Sequence, residues 1–188
     1  MVFGMGGGTS SYQEMEETDC VLLWGSNARE THPIFFHHLL KGLRRGARMF
    51  AVDPRRTSSA EWADVWLGID VGTDIPLANA VGREIIAAGL VNHDFVTHAT
   101  EGFEAYRAAV EPWTLDRASG MTGVPADVIR QMAHAYATAK RAMLCWTLGI
   151  TEHHHAVDNV LALINLALLT GHVGRWGSGI NPLRGQNN

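Results

Sequence analysis

The 188 residues carry 15 Lys and Arg against 19 Asp and Glu, a formal net charge of -4, and 46% of them are apolar. A chain of this length buries a sizeable core, and with no cationic excess to neutralise phosphates it is not a general nucleic-acid binder. No apolar run reaches the roughly eighteen residues of a membrane span, and Cys20 and Cys145 stand singly in apolar runs, as buried reduced thiols of a cytoplasmic-type protein do, with no CxxC spacing for an iron-sulfur cluster.

Residues 1–18 read as a leading loop with a short acidic turn (Glu14, Glu16, Glu17). Gly4, Gly6, Gly7 and Gly8 invite a phosphate-loop reading, but that fingerprint needs a strand before it and a helix directly after it; a flexible loop, or one closing over a ligand held elsewhere, fits better. Residues 19–188 then read as one α/β cofactor-binding domain. Asp19 to Trp24 is a short apolar run closed by Gly25-Ser26-Asn27, the pattern of a strand buried on both faces. Thr31-His32-Pro33 opens a helix that ends among Arg44, Arg45 and Gly46, and Arg48 to Asp53 is a second strand. Strand, helix and strand of these lengths make a right-handed parallel crossover, so both strands end at one sheet edge, where ligands of open α/β sheets bind.

The pattern repeats. Thr57 to Ala63 suits a short helix, Val65 to Ile69 a third strand, and Gly72-Thr73-Asp74 opens a helix running to Gly89. From Asn92 to Ala139 the periodicity is helical, in two apolar sets broken at Pro112, and is most simply a cover for the sheet. Ala142 to Gly149 returns to a buried strand with Ile150-Thr151-Glu152 as its exit loop. A helix from about His155 to Thr170 is apolar around most of its circumference, as a central helix would be, and a glycine-punctuated turn leads to Asn188. The fold class is therefore α/β and Rossmann-like, a mainly parallel sheet flanked by helices.

Four strand-exit loops offer Asn27 and Glu30, Asp53 and Arg55, Thr73 and Asp74, and Glu152. Carboxylates accept from ribose hydroxyls or a guanine edge, an amide bonds a base, and Arg grips pyrophosphate with its fork, so the set suits a nucleotide. The plainer alternative makes Asn27, Asp53 and Asp74 helix caps and turn formers. His153-His154-His155 is a poor metal site because consecutive side chains diverge, and His32, His37 and His38 lack a supporting carboxylate motif.

Gly25-Ser-Asn-Ala-Arg-Glu-Thr-His-Pro33, Val52-Asp-Pro-Arg-Arg56, Gly72-Thr-Asp74, Leu148-Gly-Ile-Thr-Glu152, Leu169-Thr-Gly-His-Val-Gly174 and Asn181-Pro-Leu-Arg-Gly-Gln-Asn-Asn188 occur in an order that resembles molybdopterin oxidoreductases of the dimethyl sulfoxide reductase superfamily, specifically formate dehydrogenase catalytic subunits. The resemblance covers nearly the whole chain. It implies a bis(molybdopterin guanine dinucleotide) with molybdenum or tungsten, one arm of it against Asn27, Glu30, Asp53, Arg55, Gly72 and Asp74, with Leu148, Gly149, Glu152 and Gln186 along the pterin. Some members carry Met and Gln in place of Leu148 and Glu152. Arg184 matches the arginine that holds the formate carboxylate. The metal-ligating Cys or selenocysteine and the [4Fe-4S] cysteines of the family precede these motifs, and the second arm's domain follows them, so the chain reads as an internal piece of a larger subunit. The implied partners are formate, the rest of the catalytic subunit and electron-transfer subunits. Two rival readings remain at this point: a non-catalytic relative serving assembly or electron transfer, and an NAD-binding domain, which lacks its glycine fingerprint here.

Overall fold

A computed structural model describes residues 2–3 and 7–184; Gly4, Gly6 and Gln186 lie outside the described residues. Five strands, β1 (Cys20–Trp24), β2 (Arg48–Val52), β3 (Val65–Leu67), β4 (Ala142–Trp146) and β5 (Gly179–Pro182), form one sheet in the order β3-β2-β1-β4-β5. Every pairing is parallel, and Trp24 aligns with Val52 on one side and Trp146 on the other. All five strands therefore end at the same edge. The order reverses direction between β1 and β4, and there the loops separate to leave a crevice.

The period of two along each strand divides the core. Val21, Leu23, Met49, Ala51, Met143 and Cys145 face Phe35 and Leu39 of helix α2 (Pro33–Arg44), which follows the single-turn helix α1 (Ala28–Thr31). Cys20, Leu22, Trp24, Phe50, Val52, Leu144 and Trp146 face the other layer. That layer is built from α3 (Asp74–Ala87), α4 (His93–Ala99), α5 (Phe103–Val110), α6 (Leu115–Thr122) and α7 (Ala126–Thr138), then α8 (Leu148–Thr151) and α9 (Ala156–Thr170). Both faces of the sheet are covered, which is why the strands are apolar without alternation. The two thiols lie one on each face, and burial pushes both up to about 12, so they stay protonated and inert.

The helix expected from Thr31-His32-Pro33 to Arg44-Gly46 is α2, with Pro33 at its start; the single turn α1 precedes it, and His32 between them has a non-helical φ of -136° because Pro33 restricts the residue before it. Four expectations need correction. The third strand stops at Leu67, two residues short of Ile69. Ile150 and Thr151 are not an open exit loop but the end of α8. The stretch read as a long turn contains β5, and its outer edge is covered by the leading segment: Thr9 N–H donates to Ile180 O at 2.9 Å, Ile180 N–H donates to Thr9 Oγ1 at 2.8 Å and Ser10 N–H donates to the Asn181 side chain at 3.2 Å. An edge strand needs such partners, and a pattern reading of a four-residue strand rich in Gly and Pro does not supply them. Helix α9 is also less central than its composition implied, with Val157 73% and Leu161 40% exposed.

Candidate functional site

A cleft of about 860 Å³ runs along the carboxyl edge of the sheet. Neighbouring parallel strands lie about 4.8 Å apart, so a cleft touching the exits of all five is about 19 Å long, the scale of an extended dinucleotide. Nine of the eleven singled-out residues line it: Asn27, Asp53, Arg55, Gly72, Asp74, Leu148, Gly149, Glu152 and Arg184. Glu30 does not; it stands outside, accepting from Ser58 Oγ at 2.8 Å, and that bond, with Asn27 beside it, holds its carboxyl below the usual range. Gln186 is the eleventh, outside the described residues.

At the β2–β3 end the two carboxylates are buried, while Arg55 is exposed. Asp53 Oδ1 accepts from Arg55 N–H at 2.9 Å, which is the turn-former role, while Trp66 Nε1–H donates to Asp53 O at 2.9 Å. Asp74 opens α3 one residue past its N-cap Thr73, so it is not the cap; its Oδ1 accepts from the Trp24 indole at 2.8 Å. Burial raises both carboxyls above their ordinary values. For Asp53 the Arg55 N–H and the Arg55 charge oppose the rise, and for Asp74 the Trp24 bond and His153 do, while nearby Asp53 adds to it. Asn27 likewise caps nothing: its Oδ1 accepts from Ser58 Oγ and Ser59 Oγ, both at 3.0 Å. The plain cap reading therefore fails for Asn27 and Asp74 and accounts for only one oxygen of Asp53.

At the switch point the backbones themselves meet. Gly149 N–H and Thr147 Oγ1–H both donate to Gly25 O, at 3.1 and 2.8 Å. A Cβ on Gly149 would stand 2.5 Å from Gly25 O and 2.7 Å from Gly25 Cα, and Gly25 itself has φ +56°. Only a glycine pair closes the β1 and β4 exits this tightly.

At the far end Leu183 N–H donates to Trp146 O at 2.8 Å, and Arg184 follows, exposed and turned to the cleft. His32 Nε2–H donates to Arg184 O at 3.2 Å, while its Nδ1 meets Thr31 Oγ1 at 2.8 Å. Of the three consecutive histidines, His153 turns away, its Nε2–H bonding Gly149 O at 2.8 Å, while the rings of His154 and His155 lie against each other with centroids 3.9 Å apart. Among the described residues no group of three His, Cys, Asp or Glu could hold a metal ion.

Sequence reasoning missed Trp24, Ser58, Ser59, Thr147 and His32 as parts of the site. Trp24 closes an apolar run and looks like core, which it also is. Ser58 and Ser59 lie some thirty residues from Asn27, and only the β1–β2 crossover joins them. The signal for His32 was its place one turn beyond a strand exit, before a proline.

A parallel sheet with its crevice at the order reversal, lined by buried carboxylates and closely approaching backbone, is the arrangement in which open α/β sheets bind their ligands. A family model described as Molybdopterin oxidoreductase matches residues 5–188, and the chain belongs to that family. It is 40% identical to the F420-dependent formate dehydrogenase subunit alpha of Methanocaldococcus jannaschii, over 99% of this chain and 28% of that protein. It is also 40% identical to formate dehydrogenase H of Escherichia coli, over 98% of this chain and 26% of that one. Among solved structures, acetylene hydratase from Pelobacter acetylenicus superposes with a TM-score of 0.81 at 29% identity, over 93% of this chain and 24% of the other. The chain thus spans about a quarter of the length of these relatives, and membership of the family removes the NAD-binding reading. Among the described residues no helix is long and apolar enough to cross a membrane.

Proposed function

We propose that the chain binds one guanine dinucleotide arm of a bis(molybdopterin guanine dinucleotide) within a formate dehydrogenase catalytic subunit. The observation that carries this is the polarity of the cleft, with two buried carboxylates at its β2–β3 end and Arg184 at its β5 end. A guanine presents N–H donors along one edge, and Asp53 and Asp74 are acceptors with oxygens left to meet them. Arg55 suits the diphosphate through its fork, and the touching Gly25 and Gly149 admit a flat pterin close to the backbone. The residues present therefore fit the group.

When bound, the cofactor supplies a molybdenum or tungsten centre that accepts the two electrons released as formate becomes carbon dioxide and a proton. This chain's share is orientation and electrostatics. Arg184 holds the formate carboxylate by both oxygens, and His32, bonded to its carbonyl, fixes the segment from which it reaches. The name acetylene hydratase shows that the same fold serves other chemistry, so the assignment to formate rests on Arg184 and the formate dehydrogenase relatives. The rest of the catalytic subunit supplies the metal's cysteine or selenocysteine ligand, the [4Fe-4S] centre and the second arm's site, and further subunits take the electrons. Two buried, protonated thiols suit a reducing cytoplasm.

The test is formate-dependent dye reduction by a catalytic subunit carrying this chain with Arg184→Ala or Arg184→Lys. Removing a charged, bidentate partner should lower kcat/KM for formate about 100-fold, with Lys recovering little of it. An unchanged kcat/KM in both variants, with cofactor content intact, sinks the assignment of Arg184 and with it the case for formate.

A further inference from the structure

Trp24 is the last residue of β1 and wholly buried in the layer beneath α3, yet its indole donates to a carboxylate rather than to a backbone carbonyl. A buried indole N–H needs one acceptor, and a neutral one satisfies it. Asp74 is only 6% exposed, so keeping an anion there costs more than keeping an amide of the same shape. The charge is therefore retained for a second partner, and the side of Asp74 that Trp24 leaves open is the cleft. Resting on the base-site reading above, we propose that Trp24 is a positioning residue for base recognition: its N–H occupies Oδ1 of Asp74, fixes the carboxylate's rotation and leaves Oδ2 to accept from the donor edge of guanine.

Two features support more than a packing role. The bond runs between the last residue of the central strand and the first residue of α3, fifty positions apart, so it sets where α3 begins relative to the cleft. The other charged groups facing Asp74 are Asp53 from the β2 exit and His153 from the turn before α9, and their effects on its charge oppose one another. Of the uncharged donors, the backbone N–H of Asp74 belongs to the residue itself, and the indole is the one supplied from another element to fix direction.

The test replaces Trp24 in the full chain by 3-benzothienylalanine, which keeps the bicyclic shape and lacks the N–H. GDP and CDP are titrated across pH 5 to 9, with Trp24→Phe as a second variant and Asp74→Asn as the coupling partner. The native chain should prefer GDP, and the isostere should lose about tenfold in GDP affinity at pH 7 while CDP binding stays put. The acid limb of GDP binding should move to higher pH, because the indole bond favours the ionised carboxyl. In an Asp74→Asn background the isostere should cost nothing further. A GDP affinity and acid limb unmoved in folded isostere and Trp24→Phe chains, or a loss that persists in Asp74→Asn, overturns the proposal while leaving the base site standing. A native chain that binds GDP no better than CDP overturns the base-site reading, and this proposal falls with it.

Discussion

At the β2–β3 end of the cleft the polar side chains are held by neighbours, the buried Asp53 by Arg55 N–H, the buried Asp74 by Trp24 and the half-buried Asn27 by two serines. At the β4–β5 end the corresponding residues are exposed, and what organises them is backbone: Gly149 against Gly25, Leu183 against Trp146, the carbonyl of Arg184 against His32. The first end has its geometry set before a ligand arrives, at the cost of desolvating two carboxylates. The second offers close approach and an open arginine, as suits a place where a small substrate must enter and leave. On the proposed function, recognition and reaction would lie apart along about 19 Å of one sheet edge.

The largest test of that contrast is Gly149→Ala. Its Cβ would meet Gly25 backbone, which cannot swing aside, so the β1 and β4 exits must part. We expect a loss of about 3 kcal/mol, or about 6 to 12 °C in Tm, measured by calorimetry. A change under 1 °C would show that the backbone at this end is not the organiser.

The carboxylate end should respond in the opposite sense. Burial raises the folded-state values of Asp53 and Asp74 above those of the unfolded chain, so between the two values the folded state holds more protons. Stability of the unliganded chain should then fall as pH rises through that window and recover on acidification toward the ordinary carboxylate range. Asp53→Asn with Asp74→Asn keeps both oxygen acceptors, removes both charges and should raise Tm at pH 7 by about 2 to 4 °C, flattening that part of the pH profile. A lowered Tm would mean that the charges stabilise this end, contrary to the burial argument.

Ser58→Ala should be the mildest. It removes one of the bonds to Asn27 and the bond to Glu30 at a partly exposed position, for about 0.5 kcal/mol in urea unfolding, with Ser59 still holding Asn27. A loss several times larger would make Glu30 part of the same preorganised end rather than its margin.

Much of this was legible in the chain itself. Unbroken apolar runs at 20–24, 49–52 and 142–146 are strands buried on both faces, and such strands are parallel with helices on both sides. Polar residues that follow parallel strands must share an edge, so Asn27 after the first strand, Asp53 after the second and Asp74 after the third were readable as neighbours from the sequence. The ordered motifs carried the family, and most of them fall at the strand exits that line the cleft.

What the tertiary structure decided are relations between residues that no local pattern encodes. β5 is too short and too rich in Gly and Pro to announce itself, and it exists because Thr9, Ser10 and β4 supply its hydrogen bonds. Trp24 reads as core in sequence; only the placing of α3 turns its N–H toward Asp74. The separation of a buried carboxylate end from an exposed arginine end follows from strand order, and order is set by how the helices close over the two faces, a property of the packed chain rather than of any segment.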